Sequence, residues 1–216
     1  MNQIKIDFVS DIACPWCAVG LAALERAIEQ VKGDVTVELH FQPFELNPDM
    51  PPEGEDIVEH LTRKYGITPA QVEQNQQQIA ERGAAVGFMF NREGRKRTYN
   101  TFDAHRLLHW AGEQGGDGQH RLKRALLGAY FSDGLDPSAA PVLLQAVAKA
   151  GLDEERAAEI LRNDDYAEVV REREQLFLSQ GIHSVPSVIL NDRYLVQGGQ
   201  PVEAFEQALR QVAAAD

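Results

Sequence analysis

The chain has two cysteines, and they stand three positions apart where one hydrophobic periodicity gives way to another. Before them, Ile4, Ile6 and Phe8 alternate with polar neighbours, the period-two pattern of a strand. Ser10 to Ala13 make a short loop, and Cys14-Pro15-Trp16-Cys17 follows. Leu21, Leu24, Ile28 and Val31 then recur at helical spacing, and Gly33 supplies a stop. Val35, Val37, Leu39 and Phe41 alternate as a second strand. A strand, a helix and a strand in this order predict a parallel pair with a helical crossover, and the cysteines sit at the first strand–helix junction.

That position has chemical consequences. The first amides of a helix lack intrahelical partners, and the helix dipole favours negative charge there. Cys14 is therefore expected to ionise below the roughly 8.5 of a free thiol. Cys17 lies one turn further in on the same side, where it can close a ring with Cys14. The expected chemistry is disulfide exchange: Cys14 attacks a disulfide, a mixed disulfide forms, and Cys17 resolves it. Pro15 suits the first helical turn because it has no N–H to leave unpaired. Trp16 supplies an aromatic face, either for substrate or for packing beside the helix. The competing reading of two close cysteines is a zinc site. His105 and His109, at helical spacing, are the residues to complete it, but no second cysteine pair accompanies them. No metal is expected.

The middle of the chain changes character. From Pro48 to Asp165 the patterns are helical with almost no strand signal. Thr68-Pro69-Ala70-Gln71 reads as a capping box with proline in the first turn. Phe102 to Ala111, Leu122 to Tyr130, and Val142 to Val147 mark further helices, and Ile160 with Leu161 a short one. Strand signals return late. A helix around Val170 and Phe177 precedes Gly181, then Val188–Leu190 and Tyr194–Val196 flank a tight turn at Asn191-Asp192-Arg193. Gly198-Gly199 breaks the chain, and Pro201 opens a last helix with Val202, Phe205, Leu209 and Val212 on one face. With the helical block removed, the order β-α-β-α-β-β-α is the thioredoxin topology. The predicted fold is α/β: a discontinuous thioredoxin-like domain from residues 1–47 and 166–216, with an all-helical insertion over 48–165. Ser184-Val185-Pro186-Ser187 places a proline directly before a strand, where it gives up a ladder hydrogen bond. A cis Val185–Pro186 bond would explain it and expose the Val185 backbone to an extended substrate.

Composition narrows the partners. Hydrophobic residues make up 44% and charged residues 25%, as in a globular protein, and the formal net charge is −12. Such an acidic surface disfavours nucleic acid and anionic membranes. Arg92 with Arg95-Lys96-Arg97 is a local exception, read as a solvated loop or as an anion-attracting lip on a groove. Met1 to Phe8 has no basic start before an apolar core, and no apolar stretch approaches about 18 residues, so a cytoplasmic protein without a membrane span is expected.

Ser10-Asp11-Ile12-Ala13-Cys14-Pro15-Trp16-Cys17-Ala18-Val19-Gly20, together with Val185-Pro186, resembles the DsbA family, and within it the FrnE-like dithiol–disulfide isomerases. Asn100-Thr101, Ala104-His105-Arg106 and Gly198-Gly199-Gln200-Pro201 extend the resemblance over nearly the whole chain. It implies Cys14 as nucleophile, Cys17 as resolving thiol, Pro186 as the cis-proline, and a helical insertion capping the site. It implies no cofactor beyond the cysteine pair, with thiol or disulfide compounds, glutathione among them, as substrates of a monomer or homodimer. Asn100, His105, Gly199 and Gln200 are the remaining candidates for substrate contact. Asn100 and Thr101 also suit the capping of the helix from Phe102, and Gly198 to Gln200 precede a helix N-terminus, which suits a carboxylate. Trp16 stands where periplasmic DsbA oxidases have histidine, which leaves the redox direction open. Two readings compete. One is a glutathione-dependent transferase or isomerase resembling the kappa class, which typically carries serine in place of Cys14. The other is a non-catalytic peptide-binding module.

Overall fold

The computed structural model describes residues 2–215. Strand β1 (Asn2–Ser10) runs into helix α1 (Pro15–Gln30), which returns to strand β2 (Val35–Pro43). Strands β5 (Ser187–Leu190) and β6 (Tyr194–Gln197) and helix α9 (Val202–Ala215) come from the end of the chain. The four strands form one sheet in the order β2-β1-β5-β6. β1 and β2 are parallel with Ile6 beside Leu39 and Phe8 beside Phe41, whereas β5 is antiparallel to β1 and to β6. The alternation that marked the strands is the alternation of their faces: Ile4, Ile6 and Phe8 join the main core with Leu21 and Leu24 of α1 and Phe205 and Leu209 of α9. Asn191 and Asp192 take left-handed φ values of 50° and 55°, which these residues tolerate and which a tight β5–β6 turn requires.

Between β2 and β5 the chain is almost wholly helical: α2 (Ile57–Tyr65), α3 (Pro69–Ala85), α4 (Phe102–Glu113), α5 (Gly118–Phe131), α6 (Ala140–Lys149), α7 (Glu154–Arg162) and α8 (Ala167–Ser179). The Thr68 capping box is present, with Gln71 N donating to the Thr68 hydroxyl and Gln71 Oε1 accepting from Thr68 N. Two strands missed by periodicity, β3 (Glu55–Asp56) and β4 (Arg97–Thr98), pair antiparallel. Two residues are too few to display a period. Leu107, Leu122, Leu126 and Leu143 of this block share one hydrophobic cluster with Phe8 and Leu24.

One side chain joins the block to the sheet. At the edge of β2, Gln119 Oε1 accepts from Phe41 N (3.0 Å), and its Nε2 donates to the carbonyls of Phe41 (3.1 Å) and Leu108 (3.0 Å). An amide thus stands in for a missing neighbour strand at a residue only 4% exposed. Gln119→Ala leaves both Phe41 backbone groups without these partners and is expected to lower stability by about 1–3 kcal/mol. Urea unfolding followed by circular dichroism checks this; an unchanged midpoint would show that the strand edge does not need the amide.

Candidate active site

Cys14 is the N-cap of α1, with extended φ −92° and ψ 113°, and Pro15 takes the first helical position. The Cys14 amide donates to the Asp11 carbonyl (3.3 Å), and the Cys17 amide to the Cys14 carbonyl (3.1 Å). The helix therefore starts at the first cysteine, and its N-terminal dipole bears on Sγ. Both cysteines are free thiols. Cys14 is 4% exposed and Cys17 fully buried. Burial pushes the Cys17 thiol well above its ordinary pKa, and neighbouring Cys14 adds to this, while Lys123 pulls the other way.

The Val185–Pro186 peptide bond is cis, as the sequence suggested. It lies against the thiols: Cys14 Sγ is 3.6 Å from the Val185 carbonyl oxygen and donates to it. The approach depends on Gly20, where a Cβ would stand 3.1 Å from Pro186 Cγ and 3.4 Å from Gly199 Cα. Gly199 in turn packs on Trp16, with a Cβ there only 3.1 Å from the indole Cε3. Gln200 turns its Nε2 back to the Gln197 carbonyl (2.8 Å).

A cavity of about 740 Å³ opens over Cys14. Pro15, Trp16 and Val185 form its floor with Cys14, and α2 and α3 supply its far wall through Ile57, Leu61, Tyr65, Val72 and Ile79. Lys64 and Arg95 bring positive charge to the lining, which also carries Glu45, His60, His183 and several neutral polar side chains. Of the basic run, Arg95 alone reaches the cavity; it lies over the Tyr130 and Phe131 rings at 5.2 and 5.0 Å, whereas Arg97 binds the Glu53 and Gly54 carbonyls. Asn100, His105, Gly199 and Gln200 stand outside the lining. Trp16, 37% exposed, both packs on Gly199 and faces the cavity.

Behind the thiols lies a buried polar cluster. Asp11, 1% exposed, accepts from Thr101 Oγ1 (2.7 Å), Leu46 N (2.7 Å) and Ala13 N (3.2 Å). His105 Nε2 lies 3.4 Å from Asp11 Oδ1, within reach of charge attraction but without the alignment of a hydrogen bond. Burial raises the Asp11 pKa, yet His105, the Leu46 amide and the Thr101 hydroxyl outweigh it and hold the carboxyl below its ordinary value. His105 thus faces Asp11, while His109 packs on Tyr166 and pairs with Glu113, so the two histidines do not meet at the cysteines. Asn100 Oδ1 accepts from Phe102 N (2.8 Å), the capping role open to it, and its Nδ2 donates to Glu45 Oε1 (3.4 Å). Thr101 uses its hydroxyl on Asp11 instead of capping the helix.

Sequence reasoning passed over three residues of this neighbourhood: Asp11 as a hub, Glu45 and Lys123. Glu45 gave no sign, because a single acid after a strand is ordinary. Lys123 did: it sits one turn before Leu127 on an otherwise apolar stripe.

Fold and thiol pair together define a thioredoxin-like domain with a helical insertion. The chain belongs to the DSBA-like thioredoxin domain family, whose model matches residues 5–210. This is a family of thiol–disulfide oxidoreductases. A probable DsbA oxidoreductase of Streptomyces coelicolor is 33% identical, with 99% of this chain and 91% of that one covered and a TM-score of 0.88. YwbO of Bacillus subtilis is 27% identical over 208 residues, covering 95% of this chain and 96% of that one. The cytosolic disulfide reductase DsbM of Pseudomonas aeruginosa, solved with glutathione, shares the fold at 17% identity, with a TM-score of 0.66 and coverage of 97% and 99%. Among the described residues no helix is long and apolar enough to cross a membrane.

Glu45 gives the site a pH-dependent element. Burial pushes its pKa up, Glu174 adds to this, Arg171 partly offsets it, and the result is about 7 against an ordinary 4.5. A raised carboxyl pKa means that the folded state holds the proton more tightly, so stability falls as pH rises from about 4.5 to about 7 and the penalty is complete above that. Glu45→Gln removes the ionisation. It is expected to raise Tm more at about pH 8 than at about pH 5, measured by thermal unfolding at both. Equal shifts at the two pH values would contradict the buried-carboxyl account.

Proposed function

We propose that this chain is a dithiol–disulfide oxidoreductase of the FrnE-like subgroup, acting in the cytoplasm on peptide or small-molecule disulfides, with glutathione disulfides among them. The observation that carries the reading is Cys14 at a helix N-terminus, on the floor of a large cavity, with a second thiol sealed behind it. In this mechanism the Cys14 thiolate attacks one sulfur of the substrate disulfide and releases the other as a thiol. Cys17 then attacks Cys14 Sγ, forming the Cys14–Cys17 bond and releasing the second thiol. Two electrons pass from the cysteine pair to the substrate, and the reverse sequence oxidises a dithiol. No cofactor is needed beyond the pair.

The other residues support this step. Val185 presents its carbonyl beside Cys14, where an extended substrate backbone can pair with it, and Pro186 holds that loop against α1 through Gly20. Pro15 and Trp16 flank the thiol as walls of the cavity. Lys64 and Arg95 supply the charge that a carboxylate-bearing disulfide requires. The helical block over 48–165 serves as the cap that gives the cavity its far side. A cavity of this size falls within the range that encloses small ligands, which favours glutathione-sized substrates over folded proteins.

The test is a coupled disulfide-reduction assay with oxidised glutathione, run beside a peptide disulfide. Cys14→Ser is expected to abolish turnover. Cys17→Ser is expected to stop after one event and accumulate a glutathionylated protein visible by mass spectrometry. Conjugation or isomerisation that depends on glutathione and survives Cys17→Ser would instead identify a transferase of the kappa type. The absence of both activities would leave a binding module.

A further inference from the structure

His183 stands on the loop between α8 and β5, two residues before the cis Val185–Pro186 bond. It is exposed and lines the cavity over Cys14, and its imidazole has no hydrogen-bond or ion-pair partner among the described residues. The loop lies against the thiol, because the Val185 carbonyl accepts from Cys14 Sγ at 3.6 Å. Two residues of chain reach at most about 7 Å, so His183 is tethered close to this contact. The other titratable groups of the lining are committed elsewhere. Glu45 is held by Arg171 and Asn100. Both ring nitrogens of His60 are taken, by Glu55 (2.6 Å) and Asn47 (3.1 Å). Lys64 donates to the Leu46 carbonyl (2.7 Å) and to Asn47 Oδ1 (2.6 Å). Arg95 donates to the Tyr130 hydroxyl (3.1 Å), and a guanidinium keeps its protons. Burial pushes the Tyr65 phenol above its ordinary pKa, away from neutrality. From α3 the wall receives only amides and apolar side chains, and Ser184 and Val185 on the loop itself bring no titratable group. His183 is left as the lining group that is both unpartnered and of the type that gains and loses a proton near neutral pH.

We infer that His183 carries the proton of the first exchange: its imidazole takes the Cys14 proton and delivers it to the sulfur that leaves the substrate. This rests on the reading of Cys14 as the thiol that attacks a disulfide. The need is chemical, because a sulfur departs more slowly the more basic its thiolate, and an alkyl thiolate is basic. Attack runs along the S–S axis, so the departing sulfur lies about 2 Å beyond the attacked one, out in the cavity that His183 lines. In the step a bond forms between Cys14 Sγ and the nearer substrate sulfur, the substrate S–S bond breaks, and its electron pair goes to the departing sulfur. That sulfur takes the proton from the imidazolium. One proton has then moved from the Cys14 thiol to the released thiol, and His183 ends neutral as it began. The substrate disulfide is the oxidant, and no other reactant is required. Cys17, fully buried, acts only in the second exchange. In this role His183 is a catalytic residue, in contact with the departing sulfur.

The experiment uses the full-length Cys17→Ser protein, which stops at the mixed disulfide, and follows that species by rapid quench and mass spectrometry with two substrates. Hydroxyethyl disulfide is uncharged and expels an alkyl thiolate, which needs a proton. Dithiobis-nitrobenzoate expels an acidic aryl thiolate, which does not. Adding His183→Gln is expected to slow the reaction with hydroxyethyl disulfide at least about tenfold near about pH 7. The rate with dithiobis-nitrobenzoate is expected to stay within about threefold, because the Cys14 proton can also be lost to buffer. With His183 in place, the hydroxyethyl disulfide rate is expected to pass through a maximum and fall on the alkaline side as the imidazole loses its proton; with glutamine that fall is expected to vanish. Equal slowing of both substrates would overturn the inference, since His183 would then act on the loop or on Cys14 and not on the departing sulfur. So would unchanged rates with both, or a glutamine variant that fails to fold, since His183 would then be needed by the structure. Failure of the Cys17→Ser protein to form a mixed disulfide with either compound would instead overturn the underlying reading of Cys14.

Discussion

The carboxylate of Asp11 ties together three parts of the chain that the site needs in one place. Through the Ala13 amide it shapes the loop that delivers Cys14 to the start of α1. Through the Leu46 amide, 35 positions away, it holds the segment leaving β2, and through the Thr101 hydroxyl, 90 positions away, it holds the entry to α4. A fully buried carboxylate cannot remain ionised without such partners, so the requirement runs in both directions: the charge needs the three segments, and the segments are registered by the charge. Cavity, thiols and insertion are all positioned from that point.

Around this anchor the site separates two sulfurs that differ little in chemistry. Cys14 stands at the helix end, beside the Val185 carbonyl and open to the cavity. Cys17, one turn on, is shut away from water, and its ionisation is disfavoured for that reason. The order of events in the proposed disulfide exchange follows from this asymmetry. The helical block has a part in it: α2 and α3 wall the cavity over Cys14. The insertion is in this sense continuous with the thiol pair.

Much of this architecture was legible before any coordinates. The alternation of Ile4, Ile6 and Phe8, the helical spacing after Cys17, the Thr68 capping box and the Asn191-Asp192 turn are local patterns, and each is found where its pattern stood. Val185-Pro186 declared itself because proline at a strand entry needs a reason. The two-residue pair β3–β4 did not, because it is too short to carry a period. Gly199 and Gln200, read as a place for a carboxylate, proved to stand outside the cavity lining; Gly199 leaves room for Trp16, a contact between residues far apart in the chain.

The sequence alone determined the redox-capable spacing of the thiols, the strand–helix junction that carries them and the thioredoxin order of elements, because each depends on interactions within a turn or a pleat. Tertiary structure decided which polar groups are buried together: Asp11 with Thr101 and His105, and Glu45 with Arg171 and Glu174. The free energy of a buried charge is set by what other segments bring to it, and no local pattern records that.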